Sequence, residues 1–134
     1  MIVVDTNIIG YLYLTSPHSA QAERAFLKDP EWVAPLLWRS ELRNVLALYV
    51  RRKHLSLTQV QRIMEEALHL MHGREYEAPS HQVLALAAAS ACSAHDCEFV
   101  ALAKDLNVPL VTADKQVCNE FPGVAVGLAE FIDG

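Results

Sequence analysis

The chain of 134 residues has the length of one domain, and we expect residues 1–134 to fold around a single hydrophobic core. Apolar residues make up 52% of the sequence and charged residues 20%, which excludes an intrinsically disordered chain. The formal net charge of -5 argues, by itself, against non-specific binding of nucleic acid, which needs basic residues to contact the phosphates.

The sequence carries no signal for a membrane or for secretion. The longest apolar candidate, Val83 to Cys92, is shorter than the roughly 18 residues that a membrane helix needs, and the amino terminus lacks a basic segment followed by an apolar core. Cys92, Cys97 and Cys118 match no disulfide framework and are expected to be small core residues. We therefore predict a protein of the reducing cytoplasm.

The first third of the chain predicts a strand, two helices and a second strand. Ile2 to Val4 form a short apolar run typical of a strand, and the apolar spacing from Ile8 to Leu14 predicts a helix after it. Ser16-Pro17 is typical of an N-cap and a first-turn proline, so a second helix is predicted to end near Lys28. A short strand is predicted at Trp32 to Ala34.

The middle of the chain predicts two amphipathic helices. Apolar residues recur at helical spacing from Leu37, and this helix is predicted to end in the basic run Arg51 to His54. Ser56 and Gln59 have the spacing of a capping box for the next helix, which Gly73 is expected to stop.

The last part of the chain alternates short strands with helices. Glu75 to Ala78 predict a brief strand, and a helix is predicted from Ser80 to about Ala91. Ser93 is placed to cap a further helix, which ends before the turn Asn107-Val108-Pro109. The remaining predicted elements are a strand at Leu110 to Thr112, a strand at Val124 to Val126 and a helix at Leu128 to Ile132. This alternation is typical of an α/β fold with a parallel sheet that is covered by helices on both faces.

Four acids stand where a parallel sheet binds ligands or where a helix faces the core. Asp5 directly follows the first predicted strand, and Asp114 lies two residues after Thr112 at the end of another. In open parallel sheets, ligands bind beyond the carboxyl ends of the strands. Asp96 is in phase with the apolar stripe of its helix, and Glu41 lies at one edge of a similar stripe.

Acids on apolar faces need compensation, because burying an unpaired carboxylate costs several kcal/mol. Carboxylate oxygens are hard ligands that favour Mg²⁺ or Mn²⁺. Such ions suit the hydrolysis of phosphodiester bonds, where they activate water and stabilise the leaving oxygen. The sequence therefore predicts that Asp5, Glu41, Asp96 and Asp114 form a metal-binding catalytic site.

Each acid also has a purely structural interpretation. Asp5 and Asp114 could each be an N-cap of the helix that follows. Asp96 completes a capping-box pattern with Ser93, and Glu41 could pair with an arginine on another element. Taken singly, these interpretations are preferred, and only the combination of four such acids favours a site.

Four blocks of sequence resemble the PIN-domain family, in particular the VapC-type toxins of bacterial and archaeal toxin–antitoxin pairs. The resemblance spans nearly the whole chain. The blocks are Val4-Asp5-Thr6-Asn7-Ile8-Ile9, Ser40-Glu41-Leu42-Arg43-Asn44-Val45-Leu46, Ser93-Ala94-His95-Asp96-Cys97-Glu98-Phe99-Val100-Ala101-Leu102-Ala103 and Pro109-Leu110-Val111-Thr112-Ala113-Asp114-Lys115.

The resemblance implies a three-layer α/β/α sandwich with a central parallel β-sheet and Mg²⁺ or Mn²⁺ held by the four acids. It implies that Asn7 and Thr112 orient the carboxylates or bound water. The implied reaction is endonucleolytic hydrolysis of RNA that leaves a 5′-phosphate and a 3′-hydroxyl. The implied partners are a small antitoxin that occludes the site and a second copy of the chain, as a homodimer.

Basic residues near the middle of the chain are candidates for binding RNA. If four of the 16 acids are neutralised by bound metal, 12 remain against 11 Lys and Arg, so the remaining charge is nearly balanced. A solvated helix face explains the same residues about as well. The candidates are Arg39, Arg43, Arg51, Arg52 and Lys53.

Other functions remain as alternatives. The chain could be an RNA-processing nuclease that is not a toxin, or a catalytically silent module that binds RNA or protein. A phosphoacceptor receiver is disfavoured because two of the acids lie on predicted helices. Zinc is disfavoured because its possible ligands match no usual spacing, namely His81, Cys92, His95 and Cys97.

Overall fold

The structure, a computed structural model, describes residues 1–134 and has a five-stranded parallel sheet at its centre. The strand order is β3-β2-β1-β4-β5, so the first strand of the chain lies in the middle. Every pair of neighbouring strands is parallel, as the alternation of strands and helices predicts. The strands are β1 (Ile2–Val4), β2 (Trp32–Pro35), β3 (Glu75–Tyr76), β4 (Leu110–Thr112) and β5 (Ala125–Gly127).

Eight helices connect and cover the strands. They are α1 (Thr6–Tyr13), α2 (Ser19–Lys28), α3 (Leu37–Arg51), α4 (Leu57–Leu70), α5 (Ser80–Ala88), α6 (Ala94–Leu106), α7 (Lys115–Glu120) and α8 (Leu128–Asp133). Helix α6 packs on β1, β2 and β4 and on α5, while α1 packs on α2 and α3 and α2 packs on α8. The predicted three-layer α/β/α sandwich is confirmed. None of these helices combines the length and the apolar character that crossing a bilayer demands.

The core lies on both faces of the sheet. Every residue of β1, β2 and β4 is buried. These strands are therefore nearly continuous apolar runs and do not alternate apolar with polar residues. The largest buried side chains are Trp32, on β2, and Trp38, on α3. Burial of each large apolar side chain contributes about 1.5–3 kcal/mol to the free energy of folding.

Local sequence signals place most helix ends. The capping box of α4 is present in both directions: the Gln59 amide donates to the Ser56 hydroxyl, and the Gln59 side chain accepts from the Ser56 amide. Gly73, after that helix, has a φ of 75°, a conformation that glycine adopts without steric cost.

Two helix ends differ from the prediction. Helix α2 begins at Ser19 and not beside Ser16, because the Ser19 hydroxyl donates to the Leu14 carbonyl and holds a turn before the helix. Helix α5 ends at Ala88, a few residues before the predicted end. The Ser90 hydroxyl donates to the Leu86 carbonyl there, in place of a backbone amide of a longer helix.

Candidate active site

Asp5 and Asp114 are neighbours because their strands are neighbours. Strand β1 pairs with β4 through Val4 and Val111, and each acid lies just past the end of its strand. Both acids are also N-caps, as the structural interpretation predicts. Asp5 Oδ1 accepts the Ile8 amide at 3.1 Å, and Asp114 Oδ1 accepts the amides of Gln116 at 2.8 Å and Val117 at 3.1 Å.

Glu41 and Asp96 reach the same region from two helices. Glu41, on α3, accepts a hydrogen bond of 2.7 Å from the buried Thr6 hydroxyl and forms no ion pair, so its predicted pairing with an arginine is wrong. Asp96 lies in the first turn of α6, where its amide donates to the Ser93 hydroxyl at 3.1 Å. Its carboxylate accepts no hydrogen bond, so the reciprocal half of the predicted capping box is absent.

All four acids line one open cavity of about 240 Å³. Each of these side chains is partly buried, and no lysine, arginine or histidine lines the cavity with them. Folding has therefore brought four negative groups from distant parts of the chain to one place without a protein cation. The other lining residues are Thr6, Asn7, Asn44, Val45, Phe99, Leu110, Thr112 and Val117.

The environment of Asp5 makes its carboxylate difficult to ionise. Burial and, to a smaller extent, the negative charge of Asp114 raise the pKa of Asp5 to about 6. Hydrogen bonds from the Thr112 hydroxyl and from the amides of Ile8 and Ala113 oppose this effect because they stabilise the ionised form. Asp5 is therefore mostly ionised at neutral pH and protonated in mild acid.

The predicted supporting residues differ in what they contact. Thr112 is buried and donates its hydroxyl hydrogen bond to Asp5 Oδ2, and its oxygen accepts the Asp114 amide at 3.0 Å. Thr112 thus contacts two of the four acids. Asn7 is exposed in the first turn of α1, lines the cavity and makes no side-chain hydrogen bond.

The oxygens that remain free suit a hard cation. No three carboxylate, imidazole or thiol groups are spaced to enclose an ion as the side chains stand. Both carboxylate oxygens of Asp96 lack a partner, as do Glu41 Oε2 and Asp114 Oδ2. Partly buried carboxylates without a counter-charge are the donor chemistry of Mg²⁺ and Mn²⁺ sites.

The candidate RNA-binding residues all lie on α3 or directly after it. Arg39 is held by Glu75, whose carboxylate accepts its Nε and Nη2 hydrogens at 2.5 Å each. The other four are exposed and none of the five lines the acidic cavity; they are Arg43, Arg51, Arg52 and Lys53.

Two polar lining residues, Thr6 and Asn44, were not among the site residues predicted from the sequence. Thr6 directly follows Asp5, and Asn44 lies one helical turn after Glu41. Helical spacing could have indicated Asn44, since residues three apart share a face. Nothing local indicates the hydrogen bond between Thr6 and Glu41, which joins residues 35 positions apart.

Comparison with known proteins agrees with this architecture. The chain is 29% identical over 126 residues to Ribonuclease VapC3 from Pyrobaculum aerophilum, which covers 92% of this chain and 96% of that protein. The protein PAE2754 from the same organism has the same fold, with a TM-score of 0.77 at 17% identity over 98% of this chain and 86% of that one.

Two further solved structures share the fold as well. FitAcB from Neisseria gonorrhoeae gives a TM-score of 0.72 at 19% identity, covering 96% of this chain and 99% of that one. A toxin–antitoxin complex from Klebsiella pneumoniae gives 0.70 at 21% identity, covering 94% and 97%. The sequence model of the PIN-domain family matches residues 2–121, and the chain therefore belongs to the PIN-domain family.

Proposed function

We propose that this chain is an endoribonuclease that hydrolyses RNA phosphodiester bonds with Mg²⁺ or Mn²⁺. The observation that carries the proposal is the meeting of Asp5, Glu41, Asp96 and Asp114 in one cavity that contains no basic side chain. A carboxylate cluster of this kind repels phosphate unless a cation is bound. Activity therefore requires the ion.

The chain's own residues would hold and orient the reacting groups. Thr112 fixes Asp5, and Thr6 fixes Glu41, so two carboxylates are oriented before substrate binds. Asp96, Glu41 and Asp114 keep free oxygens for an ion. Bound Mg²⁺ or Mn²⁺ supplies Lewis-acid chemistry, namely activation of water near neutral pH and stabilisation of charge on the phosphate.

RNA is the substrate that relatives support. The relative of 29% identity over nearly the whole chain is named a ribonuclease, and the family match covers the segment that carries all four acids. The expected products carry a 5′-phosphate and a 3′-hydroxyl. Exposed basic side chains on α3 and directly after it would contact RNA phosphates, and such contacts set affinity more than they set sequence preference. These residues are Arg43, Arg51, Arg52 and Lys53. Arg39 is held by Glu75.

We further propose that the chain is the toxin of a toxin–antitoxin pair. Its fold is shared with FitAcB and with a chain of a toxin–antitoxin complex. The partners would be a small antitoxin that covers the acidic cavity and a second copy of this chain. The homodimer would place two cavities in one assembly.

Cleavage of structured RNA by the purified protein tests the nuclease proposal. We expect cleavage with Mg²⁺ or Mn²⁺, none with excess chelator, and a loss of about 100-fold or more in Asp96→Asn and in Asp5→Asn. The matched control is Asp105→Asn, because Asp105 is exposed on α6, the helix that carries Asp96, and lies outside the cavity. Full activity in either site variant contradicts the assignment.

Growth of a bacterial host tests the toxin proposal. Induced expression of the wild-type chain should arrest growth, and co-expression with a small antitoxin encoded beside its gene should restore it. The Asp96→Asn variant should be harmless alone. Harmless expression of an active wild-type nuclease would instead support an RNA-processing role.

A further inference from the structure

The hydrogen-bond donors of the acidic cavity can be assigned one by one. Only four lining side chains carry an N–H or O–H group: Thr6, Asn7, Asn44 and Thr112. The Thr6 hydroxyl donates to Glu41, and the Thr112 hydroxyl donates to Asp5. Both hydroxyl hydrogens are thus already used within the site.

The two asparagine amides are the donors that remain. Neither Asn7 nor Asn44 makes a side-chain hydrogen bond, and both are exposed to solvent at the cavity. Ionised carboxylates can only accept hydrogen bonds, whereas an amide offers two donors and one acceptor. Asn7 and Asn44 are therefore the only lining side chains with a donor that is still free for a substrate oxygen.

Asn44 lies next to Glu41 on the face of α3 that lines the cavity. It lies three residues after Glu41 on α3, so the two side chains share a face about 5–6 Å apart. A phosphate held at these carboxylates through a bound cation would have its adjoining ribose within reach of Asn44, which lines the same cavity. The ribose 2′-hydroxyl both donates and accepts hydrogen bonds, and it is the group that distinguishes RNA from DNA.

We propose that Asn44 binds the 2′-hydroxyl of a nucleotide that flanks the cleaved phosphate and thereby favours RNA over DNA. This inference rests on the proposed ribonuclease function and adds a substrate-binding residue to it. Asn44 would act on substrate binding and selectivity, and the four acids would remain responsible for the cation and the cleavage step.

Cleavage of matched oligonucleotides tests the inference. The cut site is first mapped with wild-type protein on an RNA oligonucleotide, and two further substrates then carry a single 2′-deoxyribose on one or the other side of that site. One of these deoxy substrates should lower wild-type kcat/KM by about fivefold, the effect of one neutral hydrogen bond. Asn44→Ala should lower kcat/KM on RNA by about the same factor, mainly through KM.

The decisive comparison is Asn44→Ala on the deoxy substrate, where we expect no further loss because the bond is already absent. An equal loss on RNA and on both deoxy substrates overturns the inference, because it shows that the variant has only disturbed the site. Gln61→Ala is the matched control, since Gln61 is an exposed amide on α4 outside the cavity. A wild-type protein that cleaves no RNA overturns the proposed function itself, whereas RNA cleavage with unchanged selectivity in Asn44→Ala overturns the role of Asn44 alone.

Discussion

Two residues of the candidate site each combine a helix cap with a place in the acidic cavity. Asp5 and Asp114 cap α1 and α7 with one carboxylate oxygen each, while both also line the acidic cavity. Their structural and functional interpretations are therefore compatible, since a carboxylate has lone pairs for a helix amide and for another ligand. An amide substitution preserves the capping acceptor but removes the charge, and so separates the two roles.

Cleavage should depend on the hydroxyl of Thr6 more than on the volume of its side chain. We expect Thr6→Val to lower cleavage about tenfold and to weaken Mn²⁺ binding in calorimetry, because Glu41 loses the hydrogen bond that orients it. Thr6→Ser retains the hydroxyl and should keep most of both. Equal defects in the two variants would indicate that packing of the buried side chain is responsible instead.

The bond between Glu75 and Arg39 should make stability depend on pH. Hydrogen bonding to Arg39 holds the pKa of Glu75 below its ordinary value of 4.5. A lowered carboxyl pKa contributes stability that is complete above the unfolded pKa and is lost as pH falls through the folded pKa. We expect Glu75→Gln to cost about 1–2 kcal/mol at pH 7 and almost nothing at an acidic pH that protonates Glu75 in the folded protein.

Urea denaturation at both pH values measures the cost of Glu75→Gln. Glutamine keeps an acceptor for the Trp38 indole, which donates to Glu75 at 2.7 Å, so the difference reports the charged bond. The control is Glu77→Gln, since Glu77 is exposed and makes no side-chain hydrogen bond or ion pair. A cost that is the same at both pH values would contradict the assignment.

At the scale of elements, helix starts position the acids. Thr6, Lys115 and Ala94 begin the helices that follow Asp5, Asp114 and Ser93, so three of the four acids lie at or within one turn of a helix N-terminus. The helix dipole stabilises negative charge there. Capping is therefore linked to the placement of carboxylates in the cavity.

The N-caps of α6 and α4 should stabilise the fold equally, but only the cap of α6 should affect cleavage. Ser93→Ala and Ser56→Ala should each lower the free energy of unfolding by about 1 kcal/mol, because each removes a side-chain acceptor for a helix amide. Cleavage should fall only in Ser93→Ala, since α6 carries Asp96 and α4 contributes nothing to the acidic cavity. Equal activity in both variants would show that the cap does not orient Asp96.

At the scale of the whole molecule, the sheet order explains the site. Strands β1 and β4 are adjacent at the centre, and the helices that follow β2 and precede β4 supply Glu41 and Asp96. The acids therefore meet beyond the carboxyl ends of the central strands, where open parallel sheets bind ligands. Their mutual repulsion opposes folding of the metal-free protein.

A bound cation should stabilise the fold. At a Mn²⁺ concentration of 100 times Kd the expected gain is about 2.7 kcal/mol, which corresponds to a rise in Tm on the order of 10 °C. Asp96→Asn should lose most of this rise, and Asp105→Asn should keep it. Differential scanning calorimetry with and without Mn²⁺ measures both. An equal rise in the two variants would place the ion outside the cavity.

The sequence by itself determined the elements and the candidate acids. The capping box at Ser56, the strand of Ile2–Val4 and the helical stripe after Asp96 are local patterns, and the structure confirms each of these elements. Local patterns succeed here because caps and periodicity depend on residues only a few positions apart.

Only the tertiary structure decided which polar groups contact the acids. Thr6 binds Glu41 across 35 positions, and Thr112 binds Asp5 across 107 positions. Such bonds depend on the order of strands in the sheet and on the angle at which each helix packs, neither of which is written in local spacing. The same tertiary packing brought Asn44 to the cavity and left its amide free, while it joined Arg39 to Glu75.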